Sequence, residues 1–318
     1  MLSPIFNKIF NRRTLSKWLF GFVLLIGLII WVQHKVGWTT LLKPWLSLPL
    51  EQLAILIAIT ITSYVLRAVR VYDYSYKILQ GSFLATLRLT LLHNALNNFL
   101  PMRLGESAYP ILMKIYFNQN YVASSVTLLW IRVLDLHFLG IPALIFLYIT
   151  QKTQLWLWLI PFWLSLVPIM YWSHNLLHQQ IANHSGRFAM LMNKILGHVP
   201  DNLGQFLRIW LWTALIWTCK LFAFTSIVLH FSNLSVGHAV LGTLGAELSS
   251  VLPIHGVAGA GTYELAMSAV LLPLGINVNT ILTAAVNLHL YLLGTSILLA
   301  MWGLLLPYPT GRIAAPLP

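Results

Sequence analysis

The sequence predicts an all-α fold, a polytopic transmembrane helix bundle with two inverted repeats and two re-entrant helical hairpins. Three observations carry that prediction. Only 8% of the 318 residues are Asp, Glu, Lys or Arg, against about 25% in a soluble domain, so a soluble fold of this length has too little charge to cover its surface. The apolar residues come in long blocks, such as 19–32 and 290–306. Two further apolar stretches, 84–117 and 238–275, are each broken by Pro and Gly near the middle.

The first 49 residues read as a basic segment and a first span. Lys8, Arg12, Arg13 and Lys17 precede an apolar run at 18–34, as in a signal sequence, but Gln33, His34 and Lys35 follow it instead of an Ala-x-Ala cleavage pattern. The run is therefore expected to remain as an uncleaved helix. Further spans are expected near 50–69, 124–149, 154–173, 206–231 and 281–305, matching the roughly 20 apolar residues that a bilayer core requires. The stretches 84–117 and 238–275 fit no simple span. Pro removes a backbone donor and Gly permits tight turns, leaving short pieces on either side. Residues 104–117 make about 21 Å of helix, short of the roughly 30 Å core. Turns cannot face lipid, so such breaks must lie inside protein or line a wet cavity. Each stretch is expected to be a hairpin that enters and leaves by one face.

Charge sets the expected orientation. The net charge is +12, but the basic residues flank apolar blocks instead of clustering as a nucleic-acid footprint would. Under the positive-inside rule the N-terminus is cytoplasmic, as are Arg67, Arg70, Lys77 and Lys114, the polar loop 174–205 with Arg187 and Lys194, and the tail 306–318 with Arg312. The hairpin 84–117 then enters from the cytoplasm and 238–275 from outside. Similar broken segments entering from opposite faces are the sign of an inverted-repeat transporter with its site near mid-membrane. The repeats are expected at 50–173 and 206–305.

The chemistry is expected in the breaks. The first reads Asn97-Asn98-Phe99-Leu100-Pro101-Met102-Arg103-Leu104-Gly105-Glu106; the second runs from Leu252-Pro253-Ile254-His255-Gly256 to Gly261-Thr262-Tyr263-Glu264. Both hold Leu-Pro, then Gly, then one of only seven acidic residues. Glu106 and Glu264 sit where a new helix begins, so each can cap exposed N–H groups, and the same helix ends attract phosphate or carboxylate. Arg103 adds a cation that needs a carboxylate, a wet cavity or a headgroup at membrane depth; Glu106 lies three residues on. Arg132 and Asp135 share a helix face at spacing three, either as a structural bridge or as part of the cavity. Glu247, with Ser249 and Ser250, is expected to face inward, and Asn94, Asn97 and Asn98 to satisfy freed backbone groups. Arg67, Arg70 and Arg88 read as interfacial snorkelling residues, His289 as an interhelical hydrogen-bonding residue, and Cys219 as a small buried hydrophobe. His174, His178, His184 and His198 lack metal-site spacing, and no metal or cofactor is expected.

These segments, together with Arg132-Val133-Leu134-Asp135, resemble the lysylphosphatidylglycerol synthase transmembrane region family, the flippase-like integral membrane proteins. Order and separation agree over most of residues 50–305. The resemblance implies a bacterial or archaeal cytoplasmic-membrane protein acting on lipids. In two-domain members this region moves aminoacylated lipid between leaflets and a soluble domain makes it. With the chain ending at Pro318, the expectation is movement of lipid without its synthesis. The expected partners are membrane lipids with anionic or zwitterionic headgroups, together with a lipid-modifying enzyme; nucleic acid is not among them. The sequence departs from the family pattern at Ile131, where an acid often precedes the Arg, at Ile254-His255-Gly256 in place of Pro-Gly-Gly, and in the last span, where Asn287 and His289 stand near the position of an Arg. Competing readings are a membrane-embedded transferase on lipid-linked substrates using Glu106, Asp135 or Glu264 as acid or base, a proton-coupled solute carrier, and a partner-binding membrane subunit. No nucleotide-binding Gly-x-x-x-x-Gly-Lys motif is present.

Overall fold

A computed structural model describes residues 12–182, 202–249 and 256–308, with isolated positions between 183 and 201. Its long helices are α1 (Arg12–Lys35), α3 (Leu50–Tyr74), α7 (Tyr121–Gln151), α8 (Gln154–Ala182), α9 (Leu203–Phe231) and α12 (Val278–Leu305). At 24 to 31 residues they measure roughly 36–46 Å, enough to cross a 30 Å hydrocarbon core. Each contains one of the expected spans. Between them lie α2 (Trp38–Leu42), α4 (Tyr76–Leu79), α5 (Phe83–Phe99), α6 (Ala108–Phe117), α10 (Val236–Ser249) and α11 (Thr262–Leu271). Seven helical stretches among the described residues are long and apolar enough to cross a membrane; the seventh, Val257–Leu274, is the second arm of a broken segment. The outer surface carries Leu157, Trp158, Phe162, Ile169 and Trp172 from α8 and Leu298, Met301 and Leu305 from α12, as a protein dissolved in lipid requires.

The broken segments are antiparallel helix pairs. In the first, α5 ends at Phe99, a tight 3-10 turn runs Pro101–Ser107, and α6 returns. Met102 takes a left-handed conformation (φ 51°) to make the turn. Gly105 lies against the backbone of Asn97, His93 meets Tyr109 edge-on, and Arg88 Nε donates to Tyr116 OH. In the second, Gly242 faces Met267 and Leu271, Gly245 faces Ala266 and Val270, and Tyr263 OH donates to Glu247. Residues 250–255, with Pro253 and His255, lie outside the described residues; the arm resumes at Gly256, and Ala258 (φ 53°) and Gly261 (φ 81°) turn the chain into α11. Gly105→Ala is expected to destabilise the protein at the upper end of the roughly 1–3 kcal/mol typical of overpacking. The added methyl meets main chain, which cannot swing aside. Thermal denaturation in detergent measures it.

The long helices bring the two arms together. Helices α3 and α9 run antiparallel: Asp73 pairs with Arg208, Arg70 with Thr213, and Ser63 with the Ile216 carbonyl. The first broken segment packs on α12, through Asn98–Ser296 and through Gly303 against Leu91 and Leu92. The second packs on α7, where Gly237 receives the Phe146 ring. Helices α7 and α12 also start alike: Asn120 and Asn277 cap them by accepting from the N–H two residues on. The largest apolar core lies among α9, α10, α11 and α12.

Candidate functional site

The polar side chains of the apolar bundle converge at its centre, and each helix places them by helical spacing. Arg67 and Arg70 share a face of α3, Arg132 and Asp135 a face of α7, and Trp217 and Lys220 a face of α9, each three residues apart. The turn of the first broken segment adds Glu106, α10 adds Glu247, α11 adds Tyr263 and Glu264, and α12 adds His289.

Three linked networks result. In the first, Asp135 Oδ1 accepts from Arg70 Nη1 at 2.7 Å and from Trp217 Nε1 at 3.0 Å. Its Oδ2 accepts from Arg132 Nη1 at 3.3 Å, and Arg132 Nη2 donates to Glu106 Oε1 at 2.8 Å. Arg70 also donates to Thr213 Oγ1 at 3.0 Å. In the second, Lys220 pairs with Glu247, whose Oε1 accepts from Tyr263 OH at 3.3 Å. In the third, His289 Nδ1 lies 2.7 Å from Glu264 Oε1, His289 Nε2 lies 2.7 Å from the Ala258 carbonyl, and Glu264 Oε2 accepts the Gly261 N–H at 2.9 Å. Aromatic rings join the networks. Trp217 lies under both Arg67 and Lys220, and Tyr263 stacks on His289 with centroids 4.7 Å apart.

A narrow cavity runs between these groups, lined by Arg67, Asn97, Asn98, Asp135, Lys220 and His289 among others. Cavity walls that carry both charges can make charge-assisted hydrogen bonds to a polar group of either sign. Among the described residues, no three His, Cys, Asp or Glu side chains group as metal ligands.

The structure treats the expected site residues unequally. Glu106, Arg132, Asp135, Tyr263 and Glu264 are brought together as described. Asn98 reaches across to Ser296 Oγ at 2.8 Å. Pro101 opens the 3-10 turn and Gly105 packs its return. Gly256 and Gly261 shape the second arm, the Gly256 N–H donating to Thr262 Oγ1 at 3.4 Å. The side chain of Arg103, like Pro253 and His255, lies outside what is described. Glu264 does cap its helix, whereas Glu106 reaches across to Arg132. His289 makes the expected interhelical bond, and Glu247 faces inward.

One reading is corrected, and one residue went unread. Arg67 and Arg70 do not snorkel at an interface: they are 6% and 2% exposed, because α3 continues to Tyr74 and α9 packs along it. Lys220 was missed; the available signal was a single Lys in the apolar block around Cys219, which membrane energetics mark as functional or paired.

The family model described as lysylphosphatidylglycerol synthase TM region matches residues 18–300. The chain belongs to the lysylphosphatidylglycerol synthase TM region family. No protein of curated function and no solved structure matches the chain. As a member of this family it is a multi-pass membrane protein, consistent with a lipid-related role. The motifs through which it resembles the lysylphosphatidylglycerol synthase TM region family supply Glu106, Arg132, Asp135 and Glu264 to the central networks.

Proposed function

We propose that this chain is a flippase-like transporter that moves a phospholipid, aminoacylated lipid or lipid-linked precursor across a prokaryotic cytoplasmic membrane, with both termini cytoplasmic. The carrying observation is a single polar network, drawn from both broken segments, at the centre of an apolar bundle. Charge groups at membrane depth are costly unless they face a cavity or one another, and here they do both.

The halves, 50–173 and 206–305, act as inverted repeats in this reading. Support comes from antiparallel α3 and α9 and from the packing of each broken segment on a long helix of the other half, the first on α12 and the second on α7. The register agrees as well: Arg132 and His289 each stand twelve residues after the Asn cap of their helix, and each meets the Glu of its own half. The segment 84–117 then gates from the cytoplasm and 238–275 from outside. The headgroup crosses through the polar centre while the acyl chains stay in lipid.

In proteoliposomes with fluorescent phospholipid or lysyl-phosphatidylglycerol, Arg132→Gln and Glu264→Gln are each expected to slow headgroup movement at least roughly tenfold, as loss of a charge-assisted bond implies. Movement unchanged in both variants sinks the reading. Chemical conversion of the lipid without movement transfers the protein to the transferase class, and a lipid-independent solute flux transfers it to the carrier class.

A further inference from the structure

Beside the central cavity lies a second one, between α3, α5, α6 and α7, lined by Arg67, Arg70, His93, Tyr109 and Arg132. Several of its polar atoms share one property. Arg67 Nε, Arg70 Nε, Arg132 Nε and Tyr109 OH are buried without a hydrogen-bond partner among the described residues. A buried donor left unpaired costs free energy, and buried polar groups are ordinarily satisfied. Guanidinium nitrogens only donate, and the phenol can donate too. The unmet demand at this one place is therefore for an acceptor with several oxygens.

Charge counting points the same way. Among the described core side chains, Arg67, Arg70, Arg132 and Lys220 face Glu106, Asp135 and Glu247. The Glu264–His289 pair adds nothing. The Ala258 carbonyl only accepts, so His289 Nε2 carries a proton, and the 2.7 Å contact between Nδ1 and Oε1 holds one more. Whichever atom carries that proton, the pair is neutral. One positive charge is left over. It belongs to Arg67, which lies between the rings of Tyr64 and Trp217 and makes no hydrogen bond or ion pair among the described residues.

We propose that this cavity binds a phosphate-ester anion, with Arg67, Arg70, Arg132 and Tyr109 donating to its oxygens and Arg67 balancing its single charge. The proposal rests on the transport reading for its cargo and names the group by which that cargo is held. The oxygens belong to a lipid headgroup or to free phosphate. The lipid source is favoured by the seam between α6 and α7, where a groove lined by Glu106, Pro110, Ile111 and Tyr121 shares Leu128 with the cavity. The two cavities meet at the Leu128 side chain, and exposed Ile115, Val122 and Leu129 on the same two helices offer apolar surface for the tails.

The test is calorimetric titration of the full chain in detergent with dihexanoyl-phosphatidylglycerol, dihexanoylglycerol and inorganic phosphate. The phosphatidylglycerol is expected to saturate and dihexanoylglycerol not to bind. Arg67→Gln should weaken binding by about 10- to 150-fold, the range for charged hydrogen bonds, while the ligand-free protein melts roughly 2–4 °C higher because an uncompensated buried charge is gone. Tyr109→Phe removes only an unpartnered hydroxyl, so it folds, and should weaken binding by about 2- to 10-fold. Dihexanoylglycerol binding as tightly as phosphatidylglycerol overturns the proposal, as does wild-type affinity in both variants. Saturation by inorganic phosphate but not by the lipid keeps the anion site and overturns the headgroup assignment. Binding that behaves as expected in a protein that moves no lipid in liposomes leaves the site standing and removes the transport reading instead.

Discussion

Asp135→Asn is expected to cost about 3–5 kcal/mol of stability, enough to prevent recovery of a monodisperse protein. This is the cost of removing one member of a buried ion network and leaving the others uncompensated. Among the described residues Asp135 is the only carboxylate bonded to Arg70, and it also holds Arg132 and the Trp217 indole. An amide accepts through one oxygen and turns a donor toward a guanidinium on the other side, so it cannot replace those bonds. Asp135→Glu keeps the charge and is expected to recover part of the loss. Expression, gel filtration and thermal denaturation in detergent check this. An Asp135→Asn protein with wild-type melting would show that Arg70 and Arg132 find compensation elsewhere.

The second large effect separates stability from transport. Lys220→Met alone is expected to destabilise by about 3–5 kcal/mol, because removing one partner breaks a buried ion pair. The double variant Lys220→Met, Glu247→Gln removes both charges and is expected to return to within about 1 kcal/mol of wild type, since exchanging a buried ion pair for neutral groups of similar volume is often neutral. Tyr263 keeps an acceptor in the Gln carbonyl. On the proposed transport function, lipid movement should nevertheless be lost in the double variant, because a wall of the central cavity has become uncharged. A double-mutant cycle on melting, run beside the liposome assay, decides the matter. A stable double variant that transports normally would make the pair purely structural.

The sequence made the scaffold legible because membrane spans are written locally. Twenty apolar residues announce a helix whatever its neighbours are, and Pro and Gly announce a break. Arg132 and Asp135 were legible for the same reason, as partners one helical turn apart. The remainder is a matter of partners far apart in the chain. Arg70 meets Asp135 across 65 positions and Glu264 meets His289 across 25, and no local pattern records either. Arg67 and Arg70 misled because they sit near the end of an apolar run, where snorkelling is the usual outcome. Their burial depends on the five residues by which α3 outlasts that run, and on α9 beside it. Lys220 went unread because a single basic residue in a strongly apolar block barely changes that block's character.

The position of Arg67 and Arg70 on α3 also bears on how the chain is made. Charges within a span are costly until they are paired, so α3 is a poor guest in lipid while it stands alone. The carboxylate that answers Arg70 is synthesised 65 residues later, on α7, and Lys220 waits 27 residues for Glu247. Ribosomal order thus sets an order of assembly: α3 becomes comfortable in the bilayer only once α7 has emerged. Biogenesis of this bundle is therefore a cooperative event between distant spans, and a nascent chain halted before Asp135 should be handled by the cell as unfinished.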